Sequence, residues 1–184
     1  MRPTDQLKEE HKAITVMLDV LGKMCEKLGA GEQVSAEHLE QALDFFKGFA
    51  DKCHHYKEES VLFPAMGTVG FAKEAGPIAV MLMEHNDGRN HVNRMGEGIA
   101  RYKSGAQNAA STIMNAARQF IEVLTAHIDK ENNILFPMAE AHLPEEKQEQ
   151  IAREFERVEI EIIGAGKHEE YHQLIKNLRT IYLG

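Results

Sequence analysis

The chain is poor in cysteine and carries no excess of basic residues. Only Cys25 and Cys53 occur in 184 residues, and they form no CxxC pair. That excludes a disulfide scaffold and a thiolate-bound metal, and it fits a reduced, cytoplasmic protein. Lys and Arg number 21 against 29 Asp and Glu, a net charge of -8. A nucleic-acid partner calls for a basic patch, so that class is set aside. No apolar run approaches the ~18 residues of a membrane-spanning helix, so no membrane partner is expected. The opening residues, MRPTDQLKEEHK, lack the apolar stretch of a secretory signal. Strand-like alternation is absent throughout, which leaves an all-α protein.

What the chain does have is histidine, ten in all. Two of the ten open a repeat. CHHYKEESVLFPAM, from Cys53 to Met66, nearly recurs as AHIDKENNILFPMA, from Ala126 to Ala139. Superposing the two LFP triplets matches His54 to His127, Lys57 to Lys130 and Glu58 to Glu131. In each copy His and Glu lie four residues apart, one turn along a single helix face. Two such helices aimed at a shared interior supply the halves of a dinuclear metal site.

Hydrophobic spacing predicts the rest of the frame. A first helix runs from about Asp5 to Leu28, with His11 in the apolar stripe of Leu7, Ile14, Leu18, Leu21 and Cys25. Ser35 caps a second, from Ala36 to about Met66, with Pro64 kinking or ending its last turns. Gly76-Pro77 opens a third, running to about Tyr102, with His85 in the stripe of Ile78, Met81 and Leu82. A fourth spans about Ala109 to Met138, with Ile113, Ala117, Phe120, Leu124, His127, Glu131 and Ile134 on its inner face. Short links between long helices predict an antiparallel up-down four-helix bundle over residues 1–142. Residues 143–184 form a C-terminal helical extension packed on it, broken at Gly164-Ala165-Gly166. The methionines, Met81, Met83, Met114 and Met138 among them, are expected to fill the core.

His11, His54, Glu58, His85, His127 and Glu131 thus face one interior from four successive helices. A lone inward histidine is usually a hydrogen-bonded core residue. Two buried carboxylates are not so easily accommodated, because a buried charge must be paired or bound to a cation. Imidazole with carboxylate and no thiolate suits iron, with manganese or zinc as substitutes. Glu58 and Glu131 are placed to bridge two ions. A metal-free His–Glu network is the structural alternative.

These residues resemble the hemerythrin-like, HHE-type cation-binding proteins. The resemblance covers about Leu7 to Met138 and runs in order through EEH ending at His11, HHYKEESVLFP, MEH ending at His85, and HIDKENNILFP. It implies a centre of two non-haem irons (Fe2+/Fe3+, oxo- or hydroxo-bridged). His11 and His54 would hold one, His85 and His127 the other, with Glu58 and Glu131 between them. One departure stands out. Oxygen-carrying members have a second histidine four residues after the third-helix histidine, where this chain has Arg89. His91 is on the wrong side of the helix. His55 is the replacement donor that some relatives suggest, or else a helix-flank residue. His55 and Glu59 also stand four apart, but Ile128 and Asn132 fill the matching places in the second copy.

The implied activity is binding of O2 or NO for sensing, storage or scavenging, or iron handling. A di-iron peroxidase, oxidase or NO reductase is the enzymatic alternative, and a metal-controlled interaction module a third. Relatives dedicated to iron–sulfur repair carry an N-terminal cysteine motif that these residues lack, so that role is not favoured. HEEYH, His168 to His172, fits the HExxH zinc-protease pattern but has little chain after it for a third ligand. It is expected on a surface helix or over the end of the bundle. His38 and His142 are expected in solvent, and Cys53 in the core.

Overall fold

The computed structural model describes residues 1–184 and is all-α. Six helical rods follow in order. They are α1 (Pro3–Gly29), α2 (residues 36–67), α3 (Gly76–Lys103), α4 (residues 109–142), α5 (residues 145–163) and α6 (Lys167–Tyr182). Ser35 caps α2, its side chain accepting from the His38 amide. Pro77 takes an opening position of α3, where a missing N–H costs nothing. Gly31, at φ 76°, lets the chain turn after α1.

Side-chain pairs set the bundle order. Thr4 meets Glu140 and His11 meets Asn132, which runs α4 antiparallel to α1. Glu40 meets Lys103 and Asp51 meets Arg89, which runs α3 antiparallel to α2. Glu84 meets His127 while Gly98 lies against Ile113, which runs α4 antiparallel to α3. At Gly98 a Cβ would sit 3.1 Å from the Ile113 backbone nitrogen, so the glycine costs helix propensity but lets α3 and α4 close. This is an up-down-up-down ring.

The apolar core is split in two. A large cluster fills one part of the bundle, with Leu21, Phe45, Phe46, Ile99 and Phe120 among its members. A smaller one fills another, with Leu7, Leu62, Phe63, Ile78, Leu135 and Phe136. The buried histidines and glutamates belong to neither cluster.

α2 and α4 are not plain α-helices. In α2, Phe46–His55 and Glu58–Leu62 are wound as π-helix; in α4, Glu131–Leu135 is. Each of the two short π turns begins on a motif glutamate and ends just before the Phe-Pro of LFP. Pro64 and Pro137 lack an N–H and crowd the preceding turn, and a wider turn relieves that crowding. The wider winding shifts the face by about one residue. Ile134, expected inside, is 54% exposed, and Leu135 takes the inner place at 2%. Met83 is also misassigned to the core, being 57% exposed.

The C-terminal rods lie against α1 and α2. Ile151 and Phe155 of α5 join the smaller core, while Tyr171, Ile175, Leu178 and Tyr182 of α6 join the larger one. Tyr171 is seated over Gly48, where an added Cβ would lie 1.8 Å from its hydroxyl oxygen and 2.7 Å from Cζ. It also donates to Asp44 at 3.2 Å. Gly48→Ala is therefore expected to unseat Tyr171 and lower stability by about 1–3 kcal/mol in urea titration, although alanine favours the helix. A variant as stable as the parent would contradict this seating. His38, expected in solvent, is half-buried and shares a 2.8 Å hydrogen bond with the Tyr182 hydroxyl. His142 is exposed as expected, and Cys53 is buried, its thiol pushed up to about 12 by burial.

Candidate metal centre

All seven predicted donors are buried and converge between the four bundle helices. His11, His54, Glu58 and Glu131 form one set of ligand atoms, and His55, Glu58, His85 and His127 form a second. Within each set the atoms lie within 4.8 Å of one another. Glu58 belongs to both. Its Oε1 is 3.5 Å from His54 Nε2 and its Oε2 is 3.4 Å from His85 Nε2. Glu131 does the same, with Oε2 at 3.1 Å from His11 Nε2 and Oε1 at 3.3 Å from His127 Nε2. Each carboxylate therefore spans the two sets, one oxygen to each.

Four of the five imidazoles are held from behind at Nδ1, and the fifth, His55, has a longer contact there. The partners are Asn132 for His11 (2.8 Å), Glu10 for His54 (2.8 Å), Asp51 for His55 (3.4 Å), Glu59 for His85 (2.6 Å) and Glu84 for His127 (2.9 Å). A carboxylate accepts, so Nδ1 carries the hydrogen and a neutral ring turns a lone pair inward from Nε2. His85 Nε2 and His127 Nε2 then face each other at 3.1 Å. Two lone pairs so placed repel unless a cation lies beside them.

The sequence repeat extends into this outer ring. Glu10 and Glu84 each precede an inward histidine, His11 and His85, yet each holds the histidine of a motif helix. Lys57 and Lys130, three residues after those motif histidines, bond the same two glutamates. Asn132 and Glu59 follow the bridging glutamates and hold the histidines of α1 and α3. The LFP phenylalanines complete the pattern: Phe136 stacks on His11 with centroids 5.5 Å apart, and Phe63 on His85 at 6.0 Å. Sequence reading missed Glu10, Glu84, Asp51, Glu59 and Asn132 as orienting groups. Two of the three E-H dipeptides, those ending at His11 and His85, were a signal for the first two.

Two open questions are resolved in position. His55 points inward beside His54, its ring stacked on His85 at 3.9 Å, because π winding widens the inner face. Glu59 stays in the outer ring, bonded to His85 and Arg89. Arg89, where a sixth histidine was missed, pairs with Asp51 and Glu59 at 2.8 and 2.7 Å. The HEEYH segment contributes no donor. Its His168 approaches Glu10 and Glu159, and Lys57 bridges those same two carboxylates.

The residues fit a pair of cations. His11 Nε2 and all four oxygens of Glu58 and Glu131 are buried without a hydrogen-bond partner. Leaving one such atom unpaired costs about 1–3 kcal/mol, more when it is charged. Without metal, protons partly compensate. Burial pushes His127 down, but the Glu131 charge outweighs it and lifts the ring to about 10. Burial pushes the Glu131 carboxyl up, but His127 and His11 hold it well below the usual range.

Glu10 supplies a pH test. Burial raises its carboxyl, but the His54 hydrogen bond and the Lys57 charge outweigh that and hold it at about 2, against an ordinary 4.5. The depressed value stabilises the fold above pH 4.5, and that stability is lost as pH falls toward 2. Acid unfolding of the metal-free protein should steepen across that window, and Glu10→Gln should flatten it. Parallel acid curves for the two proteins would refute the assignment.

The comparisons agree with this geometry. The sequence matches the hemerythrin HHE cation-binding domain over residues 2–139. It is 39% identical over 89 residues to the iron-sulfur cluster repair protein YtfE of Pectobacterium carotovorum subsp. carotovorum. It is 35% identical over 89 residues to the YtfE of Yersinia pestis (strain Pestoides F). These stretches cover 47% of this chain and 40% of each relative, so the match spans about two fifths of the curated relatives' length. No solved structure matches the chain. No helix is long and apolar enough to cross a membrane. With three quarters of its length inside the matched domain, and that domain's histidines and glutamates converging in the bundle, the chain belongs to the hemerythrin HHE cation-binding family.

Proposed function

We propose that this chain is a non-haem di-iron protein whose centre takes up a small diatomic ligand, O2 or NO. The observation that carries the reading is the double span of Glu58 and Glu131, each offering one oxygen to either donor set. His11 and His54 would hold one ion, and His55, His85 and His127 the other. Two ferrous irons supply electrons that a diatomic ligand can share reversibly. The chain's own contribution is to orient and to exclude water. Glu10, Glu59, Glu84 and Asn132 fix four of the imidazole planes, and the two apolar clusters keep bulk solvent out. Five neutral imidazoles against two carboxylates leave iron less electron-rich than a carboxylate-dominated set, which favours reversible uptake over cleavage of the ligand.

Stopped-flow mixing of the reduced protein with O2 tests this reading. The expected result is a coloured adduct that disappears on removing O2. Immediate irreversible oxidation with no adduct counts against it, and peroxide turnover abolished by His85→Ala would favour the peroxidase alternative. A second reading follows from the relatives named for iron-sulfur cluster repair: the centre would serve iron handling. Transfer of its iron to a cluster-free iron–sulfur protein, restoring that protein's visible spectrum, would support it.

A further inference from the structure

His55 differs from the other four imidazoles in how it is held. Its Nδ1 lies 3.4 Å from Asp51 Oδ1, beyond the usual hydrogen-bond range, while the other four lie at 2.6–2.9 Å. The same Asp51 oxygen already accepts from Arg89 Nε at 2.9 Å and pairs with Arg89 Nη2 at 2.8 Å. His11 and His85 are backed by Phe136 and Phe63; no phenylalanine ring stacks on His55. Instead it lines a partly open cavity of about 50 Å³, with Phe46, Ala50, Gly88 and Phe120 on its apolar side and Asp51 and Arg89 on its polar side. That is more than the roughly 10–15 Å³ that a cavity needs to hold one water molecule. Two of the lining residues, Ala50 and Gly88, are small. The stack on His85 fixes the plane of the His55 ring but not its place along that plane. In the other repeat the matching residue is Ile128, so no second imidazole has this freedom.

We propose that His55 is a releasable donor: its ring slides from the centre into the adjoining cavity and vacates a position for a second small ligand. The proposal rests on the di-iron reading and deepens it. The centre would take two diatomic molecules, one at a standing open position and one where His55 withdraws. No covalent step is implied beyond exchange of one donor for another.

Nitric oxide titration of the diferrous protein tests the idea, with absorbance and spin-resonance counting and iron per chain measured in parallel. The parent should bind two equivalents per centre. Ala50→Leu fills the cavity and should bind one, with iron content unchanged. Gly88→Ala is a milder filling, since its Cβ would meet Phe120 at an ordinary 3.6 Å. It should keep both equivalents but weaken the second at least tenfold. His55→Ala should keep both irons, one on His11 and His54 and the other on His85 and His127, with Glu58 and Glu131 spanning the two donor sets. It should bind the second equivalent at least tenfold more tightly, and free imidazole should reverse that gain. Two equally tight equivalents in Ala50→Leu would overturn the proposal, as would loss of an iron in His55→Ala. A single equivalent in both parent and His55→Ala, with iron full, would overturn it while leaving the di-iron reading intact. A parent that binds no iron would defeat both.

Discussion

Adding ferrous iron to the metal-free protein should raise its thermal unfolding midpoint by about 10 °C. The reasoning starts from burial. Glu58 and Glu131 are fully buried, and their four oxygens have no hydrogen-bond partner. A ligand that binds only the folded state stabilises it by about 4 kcal/mol at a thousandfold excess over its dissociation constant. For a chain of this size each kcal/mol shifts the midpoint by roughly 2–4 °C. Glu131→Gln removes the charge that His127 and His11 pair with, so its metal-free form should itself lose stability, and it should also lose most of the iron-dependent shift. Calorimetry with and without a chelator checks both. An unchanged midpoint on loading would mean that protons alone satisfy the centre.

The second large effect concerns Lys57. Its side chain is 0% exposed, and its ammonium bridges Glu10 and Glu159 while lying 5.6 Å from the Phe155 ring centroid. α5 supplies both Glu159 and Phe155, so the C-terminal extension closes over this cation. Lys57→Met leaves Glu10 a buried carboxylate with one partner fewer, and removing one member of a buried pair costs about 3–5 kcal/mol. Lys130 occupies the matching place in the other repeat and pairs with Glu84, but its side chain is 36% exposed. Lys130→Met should cost about 0–1 kcal/mol. Denaturant titration of the two variants measures the contrast. Equal losses would show that the extension does not seal the first repeat.

Much of the centre was legible because its residues come in pairs. His54 with Glu58, and His127 with Glu131, recur at one spacing beside one LFP triplet, and a helical wheel places both pairs inside. His11 and His85 were legible from the apolar stripes around them. The bundle followed from the same stripes. What failed was phase. A wheel drawn at 100° per residue cannot hold His54 and His55 on one face, and it keeps Ile134 inside. Ile134 is misplaced by the π turn before Pro137, which the proline signals without saying whether the helix will end, kink or widen. His55, a candidate donor from the start, turns inward on the separate π stretch Phe46–His55, which no proline adjoins. The orienting ring was harder to see because its members lie on neighbouring helices. Glu10 serves His54 and not the adjacent His11, and only the packing of α1 on α2 shows that. Arg89 was read as a missing ligand. Its place is outside, neutralising Asp51 and Glu59 behind two of the donors.

Iron counted per chain is the most direct test. Parent protein loaded anaerobically, freed of excess metal and assayed for iron and protein should carry two irons per chain, one for each donor set. Glu58→Ala should carry at most one, because that residue serves both sets. A parent holding a single ion, or a Glu58→Ala protein still holding two, would contradict a centre built on shared carboxylates.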